Sequence, residues 1–245
     1  MNMENISHDL RNPAMTSTID MLRGTEKLVP PLSMAISIPP FERHHIPNHG
    51  ERTLLLFPTE NEGKVQILLR GFNKQQPPGS TDPLLYRTVP VESNVGEQPY
   101  NEAGVEGARN RISNGLRKFL ATPEQQSYLE ANKIGTVMVA CIENFIQTVG
   151  VDRPTDFGVV VILNASTGEA VAAISKGVTV APEYVEHARS LGVQDGNVDH
   201  GLVTVGNVLA ANVPGLDKAD WHAVVAGRSR YDILDEAIDG LRVPW

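Results

Sequence analysis

The chain has 245 residues, 41% hydrophobic and 20% charged, and a net charge of −8. At about 100–200 residues per domain, this is one large domain or one domain with an appendage. No apolar run is long enough for a membrane helix, no basic-then-apolar leader opens the chain, and no Lys/Arg cluster offers a nucleic-acid footprint.

The first 51 residues are read as a Pro-rich extension or draped arm, with Pro13, Pro30, Pro31, Pro39, Pro40 and Pro47. One short helix is expected around Ser17–Leu28, with Asp20 completing a cap. The domain is expected over 52–245. Thr53–Phe57 has the apolar run of a buried strand. Val65, Leu68, Leu69 and Phe72 then repeat at helical spacing, Asn73–Asp82 reads as a loop, and Tyr86–Val95 as a strand.

Val105, Ala108, Ile112, Leu116 and Phe119 predict a second helix over about 105–120. Strands follow over Thr136–Ile146 and Phe157–Leu163, then a turn at Asn164–Gly168 and a strand over Glu169–Val180. Pro182 opens a helix ending at Gly192. Leu202–Ala210 is a further apolar run, and Asp217–Asp220 resembles a helix cap. Tyr231, Leu234, Ile238 and Leu241 mark a last helix after the Arg228–Arg230 turn. Strands alternating with helices around one hairpin predict an α/β class with a mixed sheet, flanked by helices.

Neither a dinucleotide-binding Gly-x-Gly-x-x-Gly after a strand nor a Walker-type phosphate loop is present. Cys141 lies inside an apolar run, which favours a packed thiol over a nucleophile, and a lone cysteine suits a reducing, cytoplasmic compartment. Pro47 separates His45 from His49 and argues against a helical metal pair. His222, after Trp221, reads as a packing residue at a helix start in preference to a catalytic base.

Three segments carry a resemblance. Phe57-Pro-Thr-Glu-Asn-Glu-Gly-Lys-Val65 is a strand-turn-helix opening, and Val91-Glu-Ser-Asn-Val-Gly-Glu-Gln-Pro-Tyr100 precedes Gly107-Ala-Arg-Asn-Arg111. Ile142-Glu143 ends an apolar strand ahead of the hairpin segment Val160–Ala170. In order and spacing these segments resemble the inosine/xanthosine triphosphatases, phosphatases of deaminated purine nucleotides. The resemblance spans about Arg52 to Ile238 and implies an α/β fold with a central cleft.

It further implies hydrolysis of ITP or XTP to the diphosphate and phosphate. Thr59, Asn61, Lys64, Arg109 and Arg111 would hold the phosphates, with Arg228 and Arg230 as secondary candidates. Glu92 and Glu143 would hold Mg²⁺ or Mn²⁺, and Glu143 would accept a proton from the attacking water. A homodimer is implied as well.

The chain also departs from the family pattern. Glu60 puts a carboxylate into the phosphate turn, Asn101-Glu-Ala-Gly104 stands where the family has Glu-Glu-Thr and lacks the threonine hydroxyl, and Asn144-Phe145 stands where the family's Ile-Glu-x-Gly has its glycine. Two alternatives therefore stand beside the hydrolase. One is a ligand-binding or scaffold module, similar to the C-terminal domain of proline-rich, coiled-coil-containing eukaryotic proteins. The other is an enzyme acting on a different substrate in specialised metabolism.

Overall fold

The computed structural model describes residues 10–32, 38–78 and 83–245. The expected loop over Asn73–Asp82 falls partly outside these residues.

The described part of the arm carries three short elements. Asn12 caps a single 3₁₀ turn at Pro13–Met15, and Thr18, not Ser17, caps α1 (Ile19–Leu22). The helix stops well short of Leu28. It ends ahead of Gly24, whose φ of +70° suits a residue without a side chain. Strand β1 (Leu28–Val29) then pairs antiparallel with the far edge of the sheet, while Met15 and Leu22 enter the core.

The domain begins with β2 (Arg52–Phe57), α2 (Glu62–Lys74) and β3 (Leu85–Thr88). Strand β3 is shorter than the expected Tyr86–Val95, because Pro90 has no N–H to continue the ladder. Beyond it lies β4 (Gln98–Pro99), and then α3 (Ala103–Leu120) starts two residues ahead of Val105. Helix α4 (Pro123–Ala131) has little apolar periodicity and was not expected.

Strands β5 (Ile134–Gln147) and β6 (Thr155–Asn164) form the long central hairpin. The single strand expected over Glu169–Val180 divides into β7 (Ala170–Ile174) and β8 (Gly177–Thr179). The break is local. Ser175 Oγ accepts from Gly158 N and donates to the Lys176 carbonyl, which turns the chain between two stretches that both pair with β6.

Helix α5 (Pro182–Ser190) opens on its proline, and β9 (His200–Gly201) pairs with β4. The run at Leu202–Ala210 becomes α6 (Val205–Asn212), capped by Thr204. A single turn, α7 (His222–Val225), precedes α8 (Arg230–Asp239). Asp220 caps α8 from a distance, accepting from Arg230 N at 2.6 Å.

The main sheet runs β1-β8-β6-β5-β2-β3, with β7 also beside β6. Among the described strands only β2 is parallel to its neighbours, β3 and β5, so the class is α/β with a mixed sheet. Alternation along the strands assigns the two faces. Leu54, Leu56, Val139 and Cys141 pack with Ala108, Ile112 and Leu116 of α3. Leu55, Phe57, Ala140 and Ile142 pack with α2 and with Leu234 and Ile238 of α8.

Candidate functional site

The site arises where β2 stops and β5 continues. Pairing of β2 with β5 runs to Leu56↔Val139, and the next contact on that edge is the isolated bridge Tyr100↔Ile146. Between them β5 has backbone groups without a strand to bond, outside the carboxyl ends of the parallel strands, where ligands of α/β sheets commonly bind. Lys64 fills part of this gap: its Nζ donates to the Ile142 carbonyl at 2.8 Å.

Lys64 arrives there because a polar turn starts α2. Thr59 Oγ1 accepts from Asn61 N at 3.1 Å, and Asn61 Oδ1 caps the helix by accepting from Lys64 N at 3.0 Å. The two expected phosphate donors thus have a structural duty first. Glu60 is exposed at this turn. Gly63 lets α8 come close, since a Cβ there would lie 2.3 Å from the Tyr231 ring.

From the opposite face, Arg111 Nε donates to Glu143 Oε2 at 2.9 Å, and a guanidinium nitrogen also bonds the Val91 carbonyl. Glu143 is 5% exposed. Gly107 makes the approach possible, because a Cβ there would meet Val95 at 2.6 Å and Glu143 at 3.5 Å. Asn110, Asn114 and Lys118 donate in turn to the carbonyls of Ser93, Glu92 and Pro90. The Gly-Ala-Arg-Asn-Arg helix therefore clamps the extended segment before it. This gives Asn110 and Arg111 a reason to be polar that needs no ligand.

The charges couple across the sheet. Burial lowers the pKa of Lys64; Glu143 opposes that, and Arg230 and Arg111 add to it. Burial also works against the charge on Arg111, but Glu143 outweighs it and raises the pKa. Lys64 thus feels one carboxylate, Glu143, which is itself paired with Arg111, and two guanidinium groups, Arg230 and Arg111.

The other sequence-predicted residues are placed differently. Glu92 is exposed, although its charge reaches Arg111. Arg109 turns to the arm and bonds the Pro40 carbonyl at 3.5 Å. Arg228 pairs with Glu236 on the outside of α8. Phe145 packs under α3 with its ring on Phe157, centroids 5.9 Å apart, and Gly104 exists to admit it. Asn144 faces the other side of β5.

There the structure shows a cluster not singled out from the sequence. His222 Nε2 lies 3.2 Å from Asp156 Oδ2, and Asn144 Nδ2 is 3.4 Å from Asp156 Oδ1. His222 is also buried at the start of α7, as expected of a packing residue, and its ring stacks on Trp221 with centroids 3.8 Å apart. In the sequence His222 and Asn144 stand out separately, and nothing there joins either of them to Asp156. Among the described residues, no three His, Cys, Asp or Glu side chains gather as a cation site, and no helix is long and apolar enough to cross a membrane.

No family model matches the chain. It is similar to a solved structure described as protein VC0702 from Vibrio cholerae, with a TM-score of 0.54 and 15% identity over 77% of this chain and 92% of that one. A dodecamer of a PelC point variant from Paraburkholderia phytofirmans aligns over 67% of this chain and 90% of its own, at 12% identity and a TM-score of only 0.22. The likeness to the Vibrio protein extends to the fold.

Proposed function

We propose that the gap between β2 and β5 binds the phosphates of a nucleotide, and that the chain hydrolyses deaminated purine nucleoside triphosphates such as ITP or XTP. The observation that carries this reading is that Lys64, from the first turn of α2, and Arg111, from α3, meet on β5 at Ile142 and Glu143, with the charge of Arg230 also reaching Lys64. A helix N-terminus with preset cations favours a polyanion at little reorganisation cost.

The donors suit a divalent cation that arrives with the triphosphate, since Mg²⁺ is commonly held by one or two carboxylates plus phosphate oxygens. Glu143 and Glu92 are the two carboxylates whose charges reach Arg111, and they would hold Mg²⁺ or Mn²⁺. When bound, the cation neutralises charge on the phosphoryl group. Arg111 would exchange its bond to Glu143 for one to phosphate. A cytoplasmic homodimer belongs to the same proposal; edge strand β3, with Tyr86 48% exposed, is a surface through which it would form.

Phosphate release from ITP, XTP, GTP and ATP with Mg²⁺ or Mn²⁺ tests the reading. Release specific to ITP and XTP, and lost in Glu143→Gln, is the expected result; none above that variant overturns it. A second reading, a phosphoanion-binding module without turnover, is favoured by the Arg111–Glu143 pair, which ties up the proposed catalytic carboxylate. Calorimetric nucleotide binding without hydrolysis selects it.

A further inference from the structure

Three polar atoms around one cleft on the α8 face have no partner although they are out of contact with solvent: His222 Nδ1, Asn144 Oδ1 and Arg230 Nε. His222, Asn144 and Arg230 all line this cleft, together with Asp156, Ser175 and Lys176, and its volume is about 10 Å³. That is about the room one water needs, and a buried water takes 2–4 polar partners. An orphaned buried polar group is costly to leave unpaired, so three on one cleft point to an occupant.

The protonation pattern follows from chemistry. The Asp156 carboxylate accepts only, so the imidazole N–H sits on Nε2, facing Asp156 Oδ2 at 3.2 Å. Asn144 donates its amide to the other Asp156 oxygen, which leaves its own Oδ1 as an acceptor. His222 Nδ1 then carries a lone pair, while Arg230 supplies a donor. A water here finds two acceptors for its hydrogens and one donor for its oxygen. The cleft borders the phosphate cluster, because Asn144 follows Glu143 along β5 and the charge of Arg230 acts on Lys64.

We propose that this cleft holds the attacking water and that His222, oriented by Asp156, is its general base. The inference rests on the hydrolase reading. The water gives a proton to His222 Nδ1 as its oxygen bonds to the γ-phosphorus. The bond from that phosphorus to the β-bridging oxygen breaks, and the electron pair leaves with the diphosphate. His222 later returns the proton to solvent. This assigns the proton to a group free to take it, whereas Glu143 is assigned to the divalent cation.

The test is ITP hydrolysis by the full chain and by His222→Gln and Asp156→Asn, with nucleotide affinity measured alongside. The expected result is a fall in kcat of about 100-fold or more in His222→Gln with the dissociation constant unchanged. Asp156→Asn also loses kcat, and ¹⁵N NMR shows the His222 proton moved from Nε2. A His222→Gln chain that keeps its melting temperature and turns over within twofold of wild type overturns the assignment alone. If that variant does not fold, the wild-type spectrum decides: a proton on Nδ1 overturns the proposal and one on Nε2 supports it. A wild type that binds ITP without turnover overturns the hydrolase reading as well.

Discussion

The two faces of the central hairpin treat polar groups in opposite ways. On the α3 face, Glu143 and Arg111 satisfy each other, and Asn110, Asn114 and Lys118 bond backbone carbonyls of the 90–93 segment. On the α8 face, Asn144, His222 and Arg230 each keep a buried atom without a partner. Neighbouring residues of one strand, Glu143 and Asn144, thus belong to a closed network and an open one. A closed network holds the fold, and an open one is arranged for something the fold does not contain.

The largest expected effect comes from breaking the closed side. Arg111→Met leaves Glu143 buried without its cation and frees the Val91 carbonyl. Loss of one partner of a buried pair costs about 3–5 kcal/mol, and the partial exposure of Arg111 places this one near ~3 kcal/mol. Urea denaturation measures it. The double variant Arg111→Met/Glu143→Gln should recover part of the loss; if it recovers none, Arg111 acts through packing, not charge.

Next in size is Gly104→Ala. Its Cβ would lie 2.3 Å from Phe145, whose ring is fixed between α3 and Phe157. Overpacking of this kind costs about 1–3 kcal/mol, offset by the ~1 kcal/mol that alanine gains over glycine in a helix. A net loss of up to about 2 kcal/mol is expected. It should fall when Phe145→Leu is added, and equal losses in both backgrounds would show that the α3 face has slack.

Lys64→Met sharpens the contrast from the open side. Burial lowers the Lys64 pKa, so the native chain holds that proton less tightly than the unfolded chain, whose lysine titrates near 10.5. The charge is therefore carried at a cost to stability. Lys64→Met is expected to stabilise by about 1 kcal/mol while losing phosphate affinity, the trade-off common at functional sites. The sign with pH follows. The advantage is constant while Lys64 is charged and shrinks as pH rises from its lowered native value towards 10.5. Melting curves across alkaline pH would show it.

These effects also mark what could be read without coordinates. Val65, Leu68 and Phe72 placed α2, and the turn before it placed Lys64, because helical spacing and capping are local. The division of β7 from β8 was invisible, since it depends on Ser175 bonding Gly158 across the sheet. Helix α4 lacks the apolar stripe that would announce it. The His222–Asp156 pair joins residues 66 positions apart, one at a strand end and one in a single helical turn. No periodicity encodes such a meeting, and Asn144 stood out only as a departure from a pattern.

Cys141 supplies the smallest effect and a control for the closed face. Its thiol lies on the α3 side of β5, where burial, aided by Glu143, pushes its pKa up to about 12 from the ordinary 9.0. At pH 8 the native thiolate fraction is about a thousandfold below that of the unfolded chain, in addition to the steric protection. Iodoacetamide should leave the native chain unmodified and label it in urea. The linkage runs against high pH: the unfolded chain loses this proton first, so its contribution to stability is intact below 9.0 and lost as pH climbs to about 12. Arg111→Met, by loosening the same face, should make Cys141 labelling faster under native conditions. If the label enters wild type and variant at one rate, opening at β5 does not depend on the Arg111–Glu143 pair, and the closed face owes its order to apolar packing alone.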